Sequence, residues 1–273
     1  MSLPSELFRD AKLKIKRAHE HIEQLPILLG AFLESRPYKL DVKHDPKTGY
    51  NFIEFETTQP LPPAIPLTIG DALHNLRAAL DYAFWEIVLC TTKQLPSQYV
   101  SFPCLKTREK LEAALKSRDI EAAGPDIIDL IRNEIKPYPG GNDPLWALHR
   151  LDIADKHRLL ITVLRVLSLR DVSAEDENHN RFTPRTLAIA GDGILRPFGT
   201  DSPLHIQSYG EPTIGVLFGK GEEFFPGEPV IPTFVNLAQV VTSIMDKFTN
   251  KLLARIQGGG HTPPASGSHP ATT

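Results

Sequence analysis

A chain of 273 residues with 30 Lys and Arg against 33 Asp and Glu carries a net charge of −3, which excludes a whole-molecule basic footprint for nucleic acid. Its 41% apolar and 23% charged residues are ordinary for a globular protein, and its length allows a sizeable buried core. Two cysteines, Cys90 and Cys104, make neither a disulfide framework nor a metal-ligand spacing, so a reducing, cytoplasmic location is expected.

Taken in order, the chain opens with MSLPSELFRDAKLKIKR, which is charged and amphipathic and lacks the apolar core of a secretion signal. A helix is predicted from Ser5 to Glu34, with Leu13, Ala18, Ile22, Leu25, Leu29 and Phe32 as its apolar stripe. Pro26 lies inside it and predicts a kink or a division. The best local basic patch is KLKIKRAH (12–19), short enough to be a solvated helix face. In YKLDVKHDPKTGYNFIEFET (38–57) apolar and polar residues alternate on both sides of DPKTG, which predicts a β-hairpin. QPLPPAIP (59–66) reads as an extended connector.

A strongly apolar helix, GDALHNLRAALDYAFWEIV (70–88), follows. Residues 98–105 read as extended, and Thr107–Ser117 and Pro125–Ile135 as two shorter helices. PYPGGND (137–143) is a firm break, after which Asn142 or Asp143 caps a helix over LWALHRLDIADKHRLL (145–160). Beyond it, 160–169, 185–191, 203–210 and 213–219 are short β-like runs broken by Gly and Pro. The polar insert AEDENHN (174–180) reads as a loop, and GDG (191–193) and GKGEEFFPGE (219–228) as turns. A long helix is predicted from Thr233 to Ile256, buried through Phe234, Leu237, Val241, Ile244, Phe248 and Leu252.

These elements predict an α+β protein. It has a helical-bundle core, an N-terminal β-hairpin and further C-terminal strands that could pair with the hairpin, followed by the long helix. Residues 1–257 are expected to form one domain, and the Gly-, Pro- and Ser-rich 258–273 a disordered tail in which His261 and His269 are poor metal candidates. No run approaches the ~18 apolar residues of a membrane span, so no membrane partner is expected.

Two segments carry polar chemistry. The helix over 70–88 has Leu73, Leu76, Leu80, Phe84 and Ile87 on one face and little circumference left for water, so its ionisable groups are expected to be buried and paired. His74, Arg77 and Asp81 fall at i, i+3 and i+7, along one side. In 145–160, His149, Asp152 and Lys156 repeat that spacing, flanked by Asp155 and His157, over a packing face of Leu148, Leu151 and Leu159. If the helices are neighbours, three readings follow. The first is a structural network, with Arg77 on Asp81, Asp152 or Asp155 and a histidine on a carboxylate. The second is a mononuclear metal site from His149, Asp152 and either His74 or Asp81, as in a metal-dependent hydrolase. Arg77 and Lys156 add positive charge there, and His74 and Asp81 lie ~10.5 Å apart along the axis, too far to share one ion. The third is metal-free phosphodiester cleavage, with an arginine on phosphate and a histidine as acid or base.

GDALHNLRAALDYAFW together with LWALHRLDIADKHRLL resembles a widespread bacterial family of uncharacterised proteins, over most of residues 38–165. More distantly the arrangement is similar to the HEPN superfamily, helical bundles that include metal-independent ribonucleases whose site often forms across a homodimer. Its signature is an arginine followed after four to six residues by a histidine. Arg150 and His157, with six residues between them, meet that spacing. Arg77 does not, having Tyr82 where a four-residue gap would place the histidine, and Leu151 stands where a polar residue is typical. The resemblance implies RNA as substrate or partner, no cofactor, Arg150 on the phosphate, His157 as acid or base, and His149 and Asp155 in support. An interaction bundle without catalysis remains the alternative. No nucleophile elbow, phosphate loop, dinucleotide fingerprint or His-Glu-x-x-His occurs.

Overall fold

The structure, a computed structural model, describes residues 7–47, 51–183, 186–188 and 203–258. The chain is α+β. Its helices are α1 (Arg9–Glu34), α2 (Ala64–Thr92), α3 (Arg108–Leu115), α4 (Arg118–Glu121), α5 (Pro125–Leu130), α6 (Asp143–Asp155) and α7 (Val230–Gly258). Its strands are β1 (Tyr38–His44), β2 (Asn51–Thr57), β3 (Thr162–Arg170), β4 (Ser173–Asp176), β5 (Arg181–Phe182), β6 (Thr186–Ala188), β7 (Leu204–Ser208) and β8 (Glu211–Phe218). Among the described residues, no helix is long and apolar enough to cross a membrane.

The chain groups into two compact units whose boundaries fall inside α1, α2, α6 and α7. Unit 1 comprises Met1–Lys14, Ala78–Trp146 and Gln239–Thr273. Its core is aromatic: Phe102 meets Phe84 at 6.3 Å and Phe248 at 6.1 Å, both edge-on, and Phe8 reaches Phe248 at 6.5 Å. Asp81 holds the loop that carries Phe102, its Oδ1 accepting the Phe102 N–H at 2.9 Å. Glu86 Oε1 accepts the N–H of Phe8, just before α1, at 2.9 Å. Thr107 caps α3 by accepting from the Lys110 N–H at 3.3 Å, and α5 runs into a π turn over Ile131–Ile135 that closes at a left-handed Lys136. Arg255 forks onto Asp126 and donates to the Ala123 carbonyl at 2.8 Å.

Unit 2, Ile15–Arg77 and Ala147–Ala238, contains all the described strands. β1 and β2 form the expected hairpin. β3 is the centre of the antiparallel order β6-β3-β8, and β4 the centre of β5-β4-β7. The later strands therefore pair with one another, and among the described residues none pairs with the hairpin. At the β7–β8 turn Gly210 has φ +61°, and a Cβ there would strike the Arg170 carbonyl, so only glycine fits. Phe218 of β8 stacks on Phe234 of α7 at 6.4 Å.

Several expectations are corrected. The connector at 59–66 gives way to helix at Ala64, two residues before Pro66, because proline is tolerated in a first turn. α1 is one helix that passes through Pro26, and its Leu13 is 53% exposed rather than part of the buried stripe. Residues 98–105 form no strand. AEDENHN is not a loop throughout: β4 runs through Asp176, whose buried carboxylate then accepts the backbone N–H groups of Asn178 and Asn180 and closes a tight turn into β5. The expected tail from 259 onward, with His261 and His269, and the GDG turn lie outside the described residues, as does part of the run at 185–191.

Candidate functional site

The polar residues of α2 and α6 that belong to unit 2 meet. α6 begins where Asn142 Oδ1 accepts the Leu145 N–H at 3.1 Å, which makes Asn142 its cap, while Asp143 accepts from Gly140 N at 2.7 Å. It ends at Asp155 rather than Leu160, so Lys156 and His157 lie in the following turn and Leu159 is 48% exposed instead of packed. Leu148 and Leu151 are buried, at 0% and 1% exposure, as are Leu73 and Leu76 of α2.

Asp152 is the centre. It is 3% exposed, and its two carboxylate oxygens take different partners. Oδ2 accepts from Lys156 Nζ at 2.6 Å, and Oδ1 lies 3.3 Å from His74 Nδ1. The ammonium and imidazole are themselves about half exposed. His74 is therefore not buried with the rest of α2, because it shares a wet strip with the exposed Asp71. Beside this pair, buried Arg77 donates from Nε to His149 Nδ1 at 3.3 Å. That bond assigns the His149 proton to Nε2. Burial, and then the Arg77 guanidinium, lower the His149 pKa to about 4, so the ring is neutral at neutral pH.

Asp155 sits against Gly70 of α2, whose missing Cβ leaves the space its carboxyl group fills. Its Oδ1 is buried and has no hydrogen-bond partner. Burial, with the charges of Asp152 and Asp71, pushes its pKa up. Arg150 donates from Nη2 to Glu223 at 2.9 Å. His157 is exposed, one turn beyond the helix end.

His74, Arg77, His149, Asp152 and Asp155 are thus brought together on one patch of unit 2. Asp81 is not among them: it belongs to unit 1 and serves the Phe102 loop. The metal reading meets an ammonium on one Asp152 oxygen and a guanidinium on His149, and among the described residues no group of three His, Cys, Asp or Glu side chains is placed to hold an ion.

Two residues that pair with Arg150 and Arg158 escaped sequence reasoning. Glu222 and Glu223 lie in GKGEEFFPGE, which reads as a plain turn. The Glu222 side chain is 1% exposed, accepts both Nη groups of Arg158 at 2.7 and 2.9 Å, and accepts the Ile161 N–H. Burial alone would raise its pKa, but the Arg158 and Ile161 hydrogen bonds outweigh it and hold the carboxyl below its ordinary value. The only signal was two consecutive glutamates between glycines, and nothing local pointed to arginines 64 and 73 residues away.

No protein-family model, no curated protein and no solved structure matches the chain.

Proposed function

We propose that the chain is a non-enzymatic interaction protein in which the α2–α6 cluster is a structural tie. Charge balance carries this reading. The cations Arg77, Arg150, Lys156 and Arg158 are set against Asp71, Asp152, Asp155, Glu222 and Glu223, four against five with no surplus positive charge, within one unit. A centre that cleaves a phosphodiester needs surplus positive charge for the transition state and an imidazole that titrates near the working pH. His149, at about 4, is a weak base and is uncharged where an acid would be needed. A cytoplasmic location belongs to the same reading.

The test pairs Asp152→Asn with a ribonuclease assay on the wild type. A fall in the unfolding midpoint of the variant, with no cleavage by the wild type, is expected. RNA cleavage by the wild type, or an unfolding midpoint that Asp152→Asn leaves unchanged, would overturn the proposal.

One observation favours a second reading, a HEPN-like, metal-independent RNA-binding or RNA-cleaving protein. The Arg150–Glu223 pair is 40% and 61% exposed, and a pair of that kind is worth little, so a phosphate can displace the carboxylate. Arg150 would then hold phosphate, His157 would move the proton, His149 and Asp155 would support them, and a homodimer would complete the site. Arg150→Ala and His157→Ala should each abolish RNA cleavage with the fold intact. Unaltered cleavage by both would sink this reading.

A further inference from the structure

Unit 1 holds a cavity that the polar cluster does not touch. About 360 Å³ in volume, it is lined by Tyr82, Trp85 and Val100 with Asp10 and Asp81, within the ordinary size range of small-ligand sites. Tyr82 is 47% exposed on a helix that is otherwise largely buried.

The chemistry of the walls selects a cation. Two aromatic faces offer negative quadrupoles, and an ammonium over such a face is attracted without a hydrogen bond. The carboxylates of Asp10 and Asp81 add negative charge and repel an anion. A neutral apolar guest would strip water from them without repaying it. The chain supplies its own sign of this preference: Lys14 Nζ stands 5.7 Å from the centre of the Tyr82 ring. An ammonium is thus what this ring already takes, from a side chain that is not itself among those lining the cavity.

We propose that this cavity binds a small organic ammonium, a cationic nitrogen carried on a short carbon body. The cation lies between Tyr82 and Trp85 with Asp10 and Asp81 as counter-charges. The inference rests on unit 1 alone and stands whichever role the polar cluster of unit 2 has.

The test titrates the full chain with choline and with 3,3-dimethylbutan-1-ol, which has the same shape and no charge, following the Trp85 indole N–H by NMR. Trp85 and Trp146 are the two tryptophans, and Trp146→Phe assigns the signal. Saturable binding of choline, about tenfold tighter than the alcohol, is expected from the loss of one cation–π contact. Tyr82→Leu should weaken choline binding about tenfold. Tyr82 is half exposed, so its loss should leave the fold intact. Asp10→Asn, also at an exposed position, gives a second variant whose affinity should fall. Equal response to both probes, no saturable response to choline, or an affinity that none of the variants changes would each overturn the proposal.

Discussion

His149 combines burial and cationic neighbours, and both act in one direction. An unfolded chain protonates this imidazole near 6.5, the folded one only near 4. Between those values the unfolded state binds more protons, so folding stability is lost as pH falls through the window, by up to about 3 kcal/mol. His149→Leu should remove its share of that slope, seen as urea midpoints that drop less across the window, the remainder belonging to His21, which burial also lowers. Asp155 has the opposite sign. Its folded pKa is raised, so its favourable contribution is present in acid and is lost as pH rises from the ordinary aspartate value through the raised one. Asp155→Asn keeps the shape that Gly70 accommodates and removes the charge. At neutral pH it should leave the protein equally or more stable in chemical denaturation, and a clear loss would mean that the carboxylate has a partner worth keeping.

At the scale of elements, α6 is held to the segment after β8 through its own exit. Glu222 ties Arg158 and the Ile161 N–H, so the chain leaving the helix is fixed before β3 begins. Glu222→Gln keeps the volume and removes the charge. It should cost about 1.5–3 kcal/mol, the ordinary loss for hydrogen bonds to a charged group, read as a lower unfolding temperature. Such clamps also explain what the sequence hides. The hairpin, α2 and α7 are legible because their apolar periods are long and local: Leu73, Leu76, Leu80, Phe84 and Ile87 are each fully buried, as the spacing predicts. The early end of α6 is not legible, since ADKHRLL continues the helical pattern and only the distant Glu222 favours leaving it. β4 is hidden because its AED reads as a polar loop, until Asp176 is seen closing a turn with three hydrogen bonds to Asn178 and Asn180. Of the candidate cluster, spacing along each helix put His74, Arg77 and Asp81 in one line and left open which carboxylate a histidine would meet; the structure gives His74 to Asp152. The spacing also counted Asp81 in, because a straight line along α2 takes no account of where the Phe102 loop lies.

Over the whole chain, groups of both signs decide how the protein meets acid. Asp126, held low by its Arg255 hydrogen bonds, Asp176, held low by Asn180, and Glu222 each favour the folded state only while ionised. Their contribution is present above the ordinary carboxylate values and is lost as pH falls through the lowered ones. His149 adds a loss that starts higher, at 6.5. Asp155 and Glu86, both raised by burial, oppose this trend, since the folded state takes up their protons first. Among the described residues, the groups that lose stability in acid outnumber those that gain it, so stability should be greatest near neutrality and fall in two stages. The upper stage, starting at 6.5, belongs to His149, whose pKa falls to about 4, together with His21, whose imidazole is also lowered by burial and by Arg17. The lower one, below the ordinary glutamate value of 4.5, belongs to Glu222 and its companions. Urea denaturation across this range separates them: His149→Leu should shrink the upper stage without touching the lower, and Glu222→Gln should shrink the lower one. A wild-type midpoint that stays level down to about 4 would show that the His149 imidazole is protonated in the folded protein. The Arg77 bond to its Nδ1 would then have to give way to another arrangement.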